Sequence, residues 1–241
     1  MSAEAEDRSL VSWAWHWLQE LLPGLIVAAL VFDLLPTLDL QLSGLFYWPG
    51  AGFFLERAWP VRVLYYGTPW LVGAIGLGLI GALVWANLSR HPQARGVNGV
   101  ATVSLVALAL GPGLIANALF KDHWGRPRPE QIVEFGGNSH YVPPLLPSSQ
   151  CRHNCSFVSG HAAVGFFLIT GAWVWPHRRR TWYAVGIVAG SLIGLARIAQ
   201  GGHFLSDVVG AFAVVWLTDE LLYRFMLSRG WLEPPPAKKP K

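Results

Sequence analysis

Charge is the first shortage in this chain: only 13% of its 241 residues are Asp, Glu, Lys or Arg, while 53% are hydrophobic. That is about half the charged share of an average soluble domain, and lipid is the solvent that suits such a balance. The net charge is +4 and its basic residues sit in separate short loops, which excludes the broad basic face a nucleic-acid binder needs. Cysteine is limited to Cys151 and Cys155. Internal repeats and heptads are lacking, which excludes a solenoid or a coiled coil. The opening residues MSAEAEDRS carry neither a basic n-region nor a small-residue cleavage site, so the first apolar stretch is expected to be retained.

What the chain has instead is apolar runs close to the ~20 residues that cross a bilayer core. They predict one all-α, polytopic membrane domain over 1–241, with six transmembrane helices at 21–39, 65–88, 99–119, 161–176, 182–198 and 204–225. The first is interrupted by Asp33 and Pro36; Asp33 is read as a kink-side residue facing protein and is given no chemistry. The thirteen tryptophans fall mostly near span ends, as indole anchors do. Residues 1–20, with WAWHWLQELL at 13–22, read as an interfacial cytoplasmic entry, and the tail 230–241 as disordered.

The loops set the orientation. Arg90 and Arg95, HRRR at 177–180, and Arg224, Arg229 and AKKPK after the last span all belong inside by the positive-inside rule. Segments 40–64, 120–160 and 199–203 then share the opposite face, where residues distant in sequence can meet.

Three clusters on that face carry chemistry. In KDHWGRPRP, 121–129, the cations Lys121, Arg126 and Arg128 crowd a membrane exit on the side that disfavours them, so an anion is expected there. Arg grips phosphate with a planar fork and Lys with a point charge; a lipid-headgroup anchor is the plain alternative. Ser159-Gly160-His161 opens a helix whose unpaired N–H groups favour an anion, and His161 can protonate a leaving group; a capping Ser with an interfacial His is the alternative. In ARIAQGGHFLSDVVG, 196–210, His203 and Asp207 lie four apart on one helix face, where the carboxylate can hold one imidazole nitrogen and free the other to attack; a structural His–Asp pair is the alternative. Arg197 precedes the Gly201-Gly202 turn and can swing back to the same point. Together the clusters supply phosphate grips, an acid, a nucleophile and its orienter, which is the equipment of phosphoryl transfer.

These residues resemble the type 2 phosphatidic acid phosphatase superfamily. Lys121 with Arg128-Pro129, and Arg197 with His203 and Asp207, match its first and third motifs in full spacing, while VSGH at 158–161 puts Val158 where proline is usual and Ala196 stands where many members have Ser. The stretch 134–161, with its Phe-Gly-Gly and Asn-Cys-Ser-Phe-Val-Ser-Gly runs, looks similar to the lipid A phosphatase branch of Gram-negative inner membranes. The resemblance implies a metal-independent lipid phosphatase of the bacterial inner membrane, without cofactor and acting on a phosphorylated lipid. His203 would attack phosphorus to give a phosphohistidine, Asp207 orient it, His161 protonate the leaving oxygen, and Lys121, Arg128, Arg197, Ser159 and Gly160 hold the phosphoryl oxygens. Arg126, outside the motif positions, is assigned only to substrate attraction. Undecaprenyl-diphosphate, phosphatidylglycerophosphate and phosphatidate phosphatases share the same set. A phospholipid or anion transporter that merely bound phosphate would need neither the His203–Asp207 pair nor a second histidine opposite it.

The cysteines leave three readings. A Cys151–Cys155 disulfide would restrain the loop ahead of Ser159 without taking part in chemistry. The others are two free thiols, and a zinc site formed with His153 and His161.

Overall fold

The computed structural model describes residues 23–229 apart from 25, 29, 33 and 36. The expected interfacial segment 1–20, Asp33 and the tail 230–241 lie outside the described residues. Helix α1 (Ile26–Phe32) meets α2 (Thr37–Gly44) at a 72° bend, so the first expected span is two short helices instead of one straight rod. A hairpin of β1 (Tyr47–Trp48) and β2 (Gly52–Phe53) follows. Then come α3 (Trp59–Leu88), α4 (Ala94–His123), α5 (Gly160–Val174), α6 (Arg179–Ala199) and α7 (Leu205–Ser228). Among the described residues, three helices are long and apolar enough to cross a membrane, or four if the bent pair makes one span. The chain is an all-α membrane protein.

Two helices depart from the expected spans. α5 ends at Val174 and changes to a tighter 3-10 winding over Phe167–Thr170; at 1.5 Å per residue it falls short of a ~30 Å hydrocarbon core. α7 is long enough but carries Asp207, Asp219 and Glu220, all buried. Within α4, Ala109–Phe120 takes the wider π winding. Pro112 explains it, since proline offers no N–H and its ring clashes with the carbonyl four residues back, pushing the ladder out of register. The shift lets Asn117 Nδ2 donate to the Pro112 carbonyl at 2.6 Å.

α3 faces outward along most of its length, with Trp70, Leu77 and Leu88 each more than 70% exposed. Surface of that kind is tolerated only against lipid or a partner. The core forms where α4, α5, α6 and α7 meet, around Ala116, Phe166, Ile169, Ile198, Val208 and Val215. Small residues let these helices close up: a Cβ on Gly165 of α5 would lie 2.6 Å from the Gly190 Cα of α6. Close backbone approach replaces the hydrophobic drive that lipid cannot supply.

The long 124–159 connection is an ordered cap on one end of the bundle. Ser148, Cys151, Cys155 and Ser156 donate backbone N–H groups to the carbonyls of Trp124, Gly125, Lys121 and Arg126 at 2.9–3.1 Å, laying one stretch beside the other. Gly125 makes that approach feasible, because its φ is +72° and a Cβ there would sit 1.6 Å from the Ser148 oxygen. Cys151 and Cys155 are joined in a disulfide with their Cα atoms 5.7 Å apart. With both sulfurs in the bridge, neither is a thiolate for the zinc alternative. A second small core of Phe53, Ile132, Phe135 and Phe204 seals the cap against the hairpin and α7, and the Glu130 N–H donates to the Gly201 carbonyl at 3.0 Å. Segments 40–64, 120–160 and 199–203 thus come together at one end.

Exchange of both cysteines for serine should cost about 2 kcal/mol by relaxing so short a ring, read as a lower unfolding temperature in detergent. Protein prepared without reductant should leave no thiol open to alkylation.

Candidate active site

The site grows from three backbone features at that end. The α6–α7 connection sets His203 one turn before Asp207, which lies in the first turn of α7 and folds back so that its Oδ2 accepts the Phe204 N–H at 2.7 Å. The start of α5 is capped by the Ser159 hydroxyl, which accepts from the Ala162 N–H at 3.4 Å. The two are tied directly, since the Ser159 N–H donates to the Asp207 carbonyl at 3.1 Å. Gly160 is forced by packing, for a Cβ would stand 2.2 Å from Asn117 Oδ1 of α4.

His203 Nδ1 lies 3.6 Å from Asp207 Oδ2. That exceeds a hydrogen bond but is in ion-pair range, a looseness common before substrate arrives. His203 is buried, and desolvation outweighs the neighbouring carboxylate, pulling its pKa down to about 3. The ring is therefore neutral, with one nitrogen carrying a free lone pair. Nδ1 faces the carboxylate, so Nε2 is the nitrogen free to attack.

The cations converge on the same place. Lys121 and Arg197 both act electrostatically on His203, and with Arg128 they act on His161. Arg128 is braced by the Asn154 carbonyl, to which its Nε and Nη2 donate at 3.2 and 2.8 Å. Arg197 donates to Gln200 and lies against Gly202, where a Cβ would meet its Nη2 at 2.1 Å. Among the described residues, Arg197 Nε and both ring nitrogens of His203 are buried without a hydrogen-bond partner. Buried polar groups are ordinarily paired, so an unpaired guanidinium N–H among several cations marks a place that suits an anion. Lys121, Arg128, Ser159, Gly160, His161, Arg197, His203 and Asp207 are thus all drawn to one end of the bundle.

Arg126 corrects the sequence reading. It is fully buried and paired to Asp39 at 2.8 Å and to Asp207 at 2.5 Å, so it attracts no substrate. Burial works against its charge, and the Asp207 and Asp39 carboxylates more than offset that, holding the guanidinium protonated. Sequence reasoning also missed Asp39, Ser156, Ser206, Tyr141 and Tyr65. Ser156 Oγ donates to Asp207 Oδ2 at 2.5 Å. The Tyr65 ring stacks on His161 at 4.8 Å and lies under the Arg197 guanidinium at 4.6 Å, which aligns the imidazole and the guanidinium on one platform. The one available signal was Asp39 itself, an acid within an apolar stretch.

Comparison with known proteins gives the geometry a context. The chain is 37% identical over 218 residues, 83% of its length and 95% of the relative's, to the lipid A 4'-phosphatase of Francisella tularensis subsp. novicida. It is 38% identical over 174 residues, 70% of each chain, to the lipid A 4'-phosphatase of Rhizobium leguminosarum. A more distant similarity, 27% over 165 residues covering 68% of this chain and 73% of the other, links it to the undecaprenyl-diphosphatase BcrC of Bacillus subtilis. No solved structure matches. The PAP2 superfamily pattern is matched over residues 101–231, a stretch that holds every motif residue above and more than half of the sequence, and the chain belongs to that superfamily.

Proposed function

We propose that this membrane lipid phosphatase is a lipid A phosphatase that hydrolyses the 4'-phosphate monoester. The observation that carries the reading is similarity over 95% of the Francisella relative's length, well beyond the motif region. Placement of the domain in the inner membrane, with the clustered end toward the periplasm, accords with the arginines of loops 89–95 and 177–180.

The mechanism follows from the residues present. Lys121, Arg128 and Arg197, with the Ser159 hydroxyl and the Gly160 N–H, hold the phosphoryl oxygens and take up charge in the transition state. The lone pair of His203 Nε2 forms a bond to phosphorus as the phosphorus–oxygen bond to the sugar breaks, and His161 gives its proton to the departing oxygen. Asp207 stabilises the cationic phosphohistidine. Water then attacks phosphorus, returns a proton to His161 and releases inorganic phosphate, leaving His203 neutral.

Purified protein in detergent should release phosphate from lipid A and yield the 4'-dephosphorylated product by mass spectrometry. Faster turnover of undecaprenyl diphosphate would transfer the assignment to that substrate. His203→Ala should abolish turnover with helical content intact, and Asp207→Asn should cost about 10⁴-fold, by analogy with neutralised triad aspartates. The double variant should be no worse than His203→Ala, because the pair acts as a unit.

Turnover should survive EDTA, as expected of histidine-based phosphoryl transfer without metal; loss restored only by added zinc or magnesium would contradict the mechanism. The depressed pKa of His203 also sets a pH dependence of stability. Between about 6.5 and about 3 the unfolded chain protonates this histidine and the folded chain does not, so stability is full above that window and falls as pH drops through it. Thermal unfolding across the window should fall more steeply for wild type than for His203→Gln.

A further inference from the structure

We propose that Arg126 and Asp39 are positioning residues for the reaction, forming with Asp207 a buried carboxylate–guanidinium–carboxylate row that fixes Asp207 and leaves one negative charge opposite His203. The proposal rests on the reading above, in which His203 attacks phosphorus.

Every donor of Arg126 is committed. Nε donates to the Val142 carbonyl at 2.7 Å, Nη1 to Ser206 Oγ at 2.8 Å and Asp207 Oδ1 at 2.5 Å, and Nη2 to Asp39 Oδ2 at 2.8 Å and Tyr141 Oη at 3.2 Å. A guanidinium has five N–H groups, and these are five bonds. Its face lies on the Phe204 ring at 4.4 Å. Nothing remains for a phosphate, so this arginine acts only through its neighbours.

Asp39 holds the far side. Its Oδ1 accepts the Ser206 N–H at 2.9 Å, and its Oδ2 accepts the hydroxyls of Ser206 at 2.5 Å and Tyr141 at 3.0 Å. Ser206 adjoins Asp207 in the first turn of α7, so α2 grips that turn from outside while Arg126 grips it from the cap. With Oδ1 on Arg126 and Oδ2 on Ser156 and the Phe204 N–H, Asp207 has no rotational freedom and keeps Oδ2 toward His203.

Charge decides the second part. Two carboxylates and one guanidinium sum to one negative charge, and the hydrogen-bonding partners Tyr141, Ser156 and Ser206 are neutral. His203 otherwise faces the cations Lys121 of α4 and Arg197 of α6, which oppose a positive ring. The surplus charge of the row is the counterweight when phosphorylation makes the imidazole cationic. Removing one carboxylate brings the row to zero, and Asp39 is the one that touches neither His203 nor a phosphate grip.

The test is Asp39→Asn, which preserves shape, measured per folded molecule against wild type. The row as described predicts a kcat loss of about 10- to 100-fold, by analogy with outer-shell partners that orient metal-ligating side chains, with KM unchanged. The acid limb of the kcat/KM profile should move to lower pH, because a lost negative charge makes His203 harder to protonate. A purely structural Asp39 would lower the unfolding temperature but leave kcat and the acid limb in place, and that result overturns the proposal. Should Asp39→Asn fail to fold, Tyr141→Phe, which deletes one bond to Asp39 and one to Arg126, should lower kcat in the same way to a smaller degree; unchanged kcat there overturns it too. Arg126→Lys, with charge kept but three donors, should retain more kcat than Arg126→Met and less than wild type; equal loss in both overturns the charge argument. His203→Ala separates the two levels. If it is dead while Asp39→Asn is normal, only the row's role falls, whereas turnover by His203→Ala removes the underlying mechanism as well.

Discussion

The buried contact between Arg126 and Asp207 is the interaction on which the rest of this structure depends. A guanidinium with no exposed surface is tolerable only when its charge and all its donors are met. Meeting them requires α2, the 124–159 cap and α7 to arrive at one point, because Asp39, Val142, Tyr141, Ser206 and Asp207 come from all three. Removing one partner of such a pair ordinarily costs about 3–5 kcal/mol. That penalty ties the integrity of the cap to the geometry of Asp207 beside His203.

Around this point the chain divides its labour. The helices satisfy their own backbone and offer apolar surface to lipid, as any spanning segment must. Chemistry is confined to the capped end, where a neutral, desolvated histidine stands among cations that it does not hydrogen-bond. Unpaired buried polar groups are expensive, and under the proposed mechanism the cap and disulfide hold them in place for a phosphoryl group to pair. In that mechanism, charge in the transition state meets groups already oriented, so little reorganisation is needed as bonds change.

Much of this was legible in the sequence. The spacing of His203 and Asp207 on one helical face, the serine cap at α5 and the cation run after α4 are local patterns, and local patterns survive into the fold. The three segments expected on one face do meet, since hydrophobic runs fix which loops lie at which end. What escaped reading was long-range or depended on neighbours. Arg126 and Arg128 look alike in KDHWGRPRP, yet one is sealed behind Phe204 and the other braced on Asn154. Asp39 bonds to residues 87 and 167 positions away, a distance no periodicity encodes. The bend between α1 and α2, the short α5 and the π winding around Pro112 alter helix shape without changing hydropathy, so apolar runs alone could not reveal them.

The central claim, that His203 carries the phosphoryl group between lipid and water, is tested most directly by trapping the enzyme during turnover. Acid would destroy a phosphohistidine, so the reaction with radiolabelled lipid substrate is quenched in denaturant at alkaline pH and the modified peptide is mapped by mass spectrometry. The account predicts phosphate on His203 and none in a His203→Ala protein. Phosphate on His161, on any other residue, or on no residue during rapid turnover would contradict it.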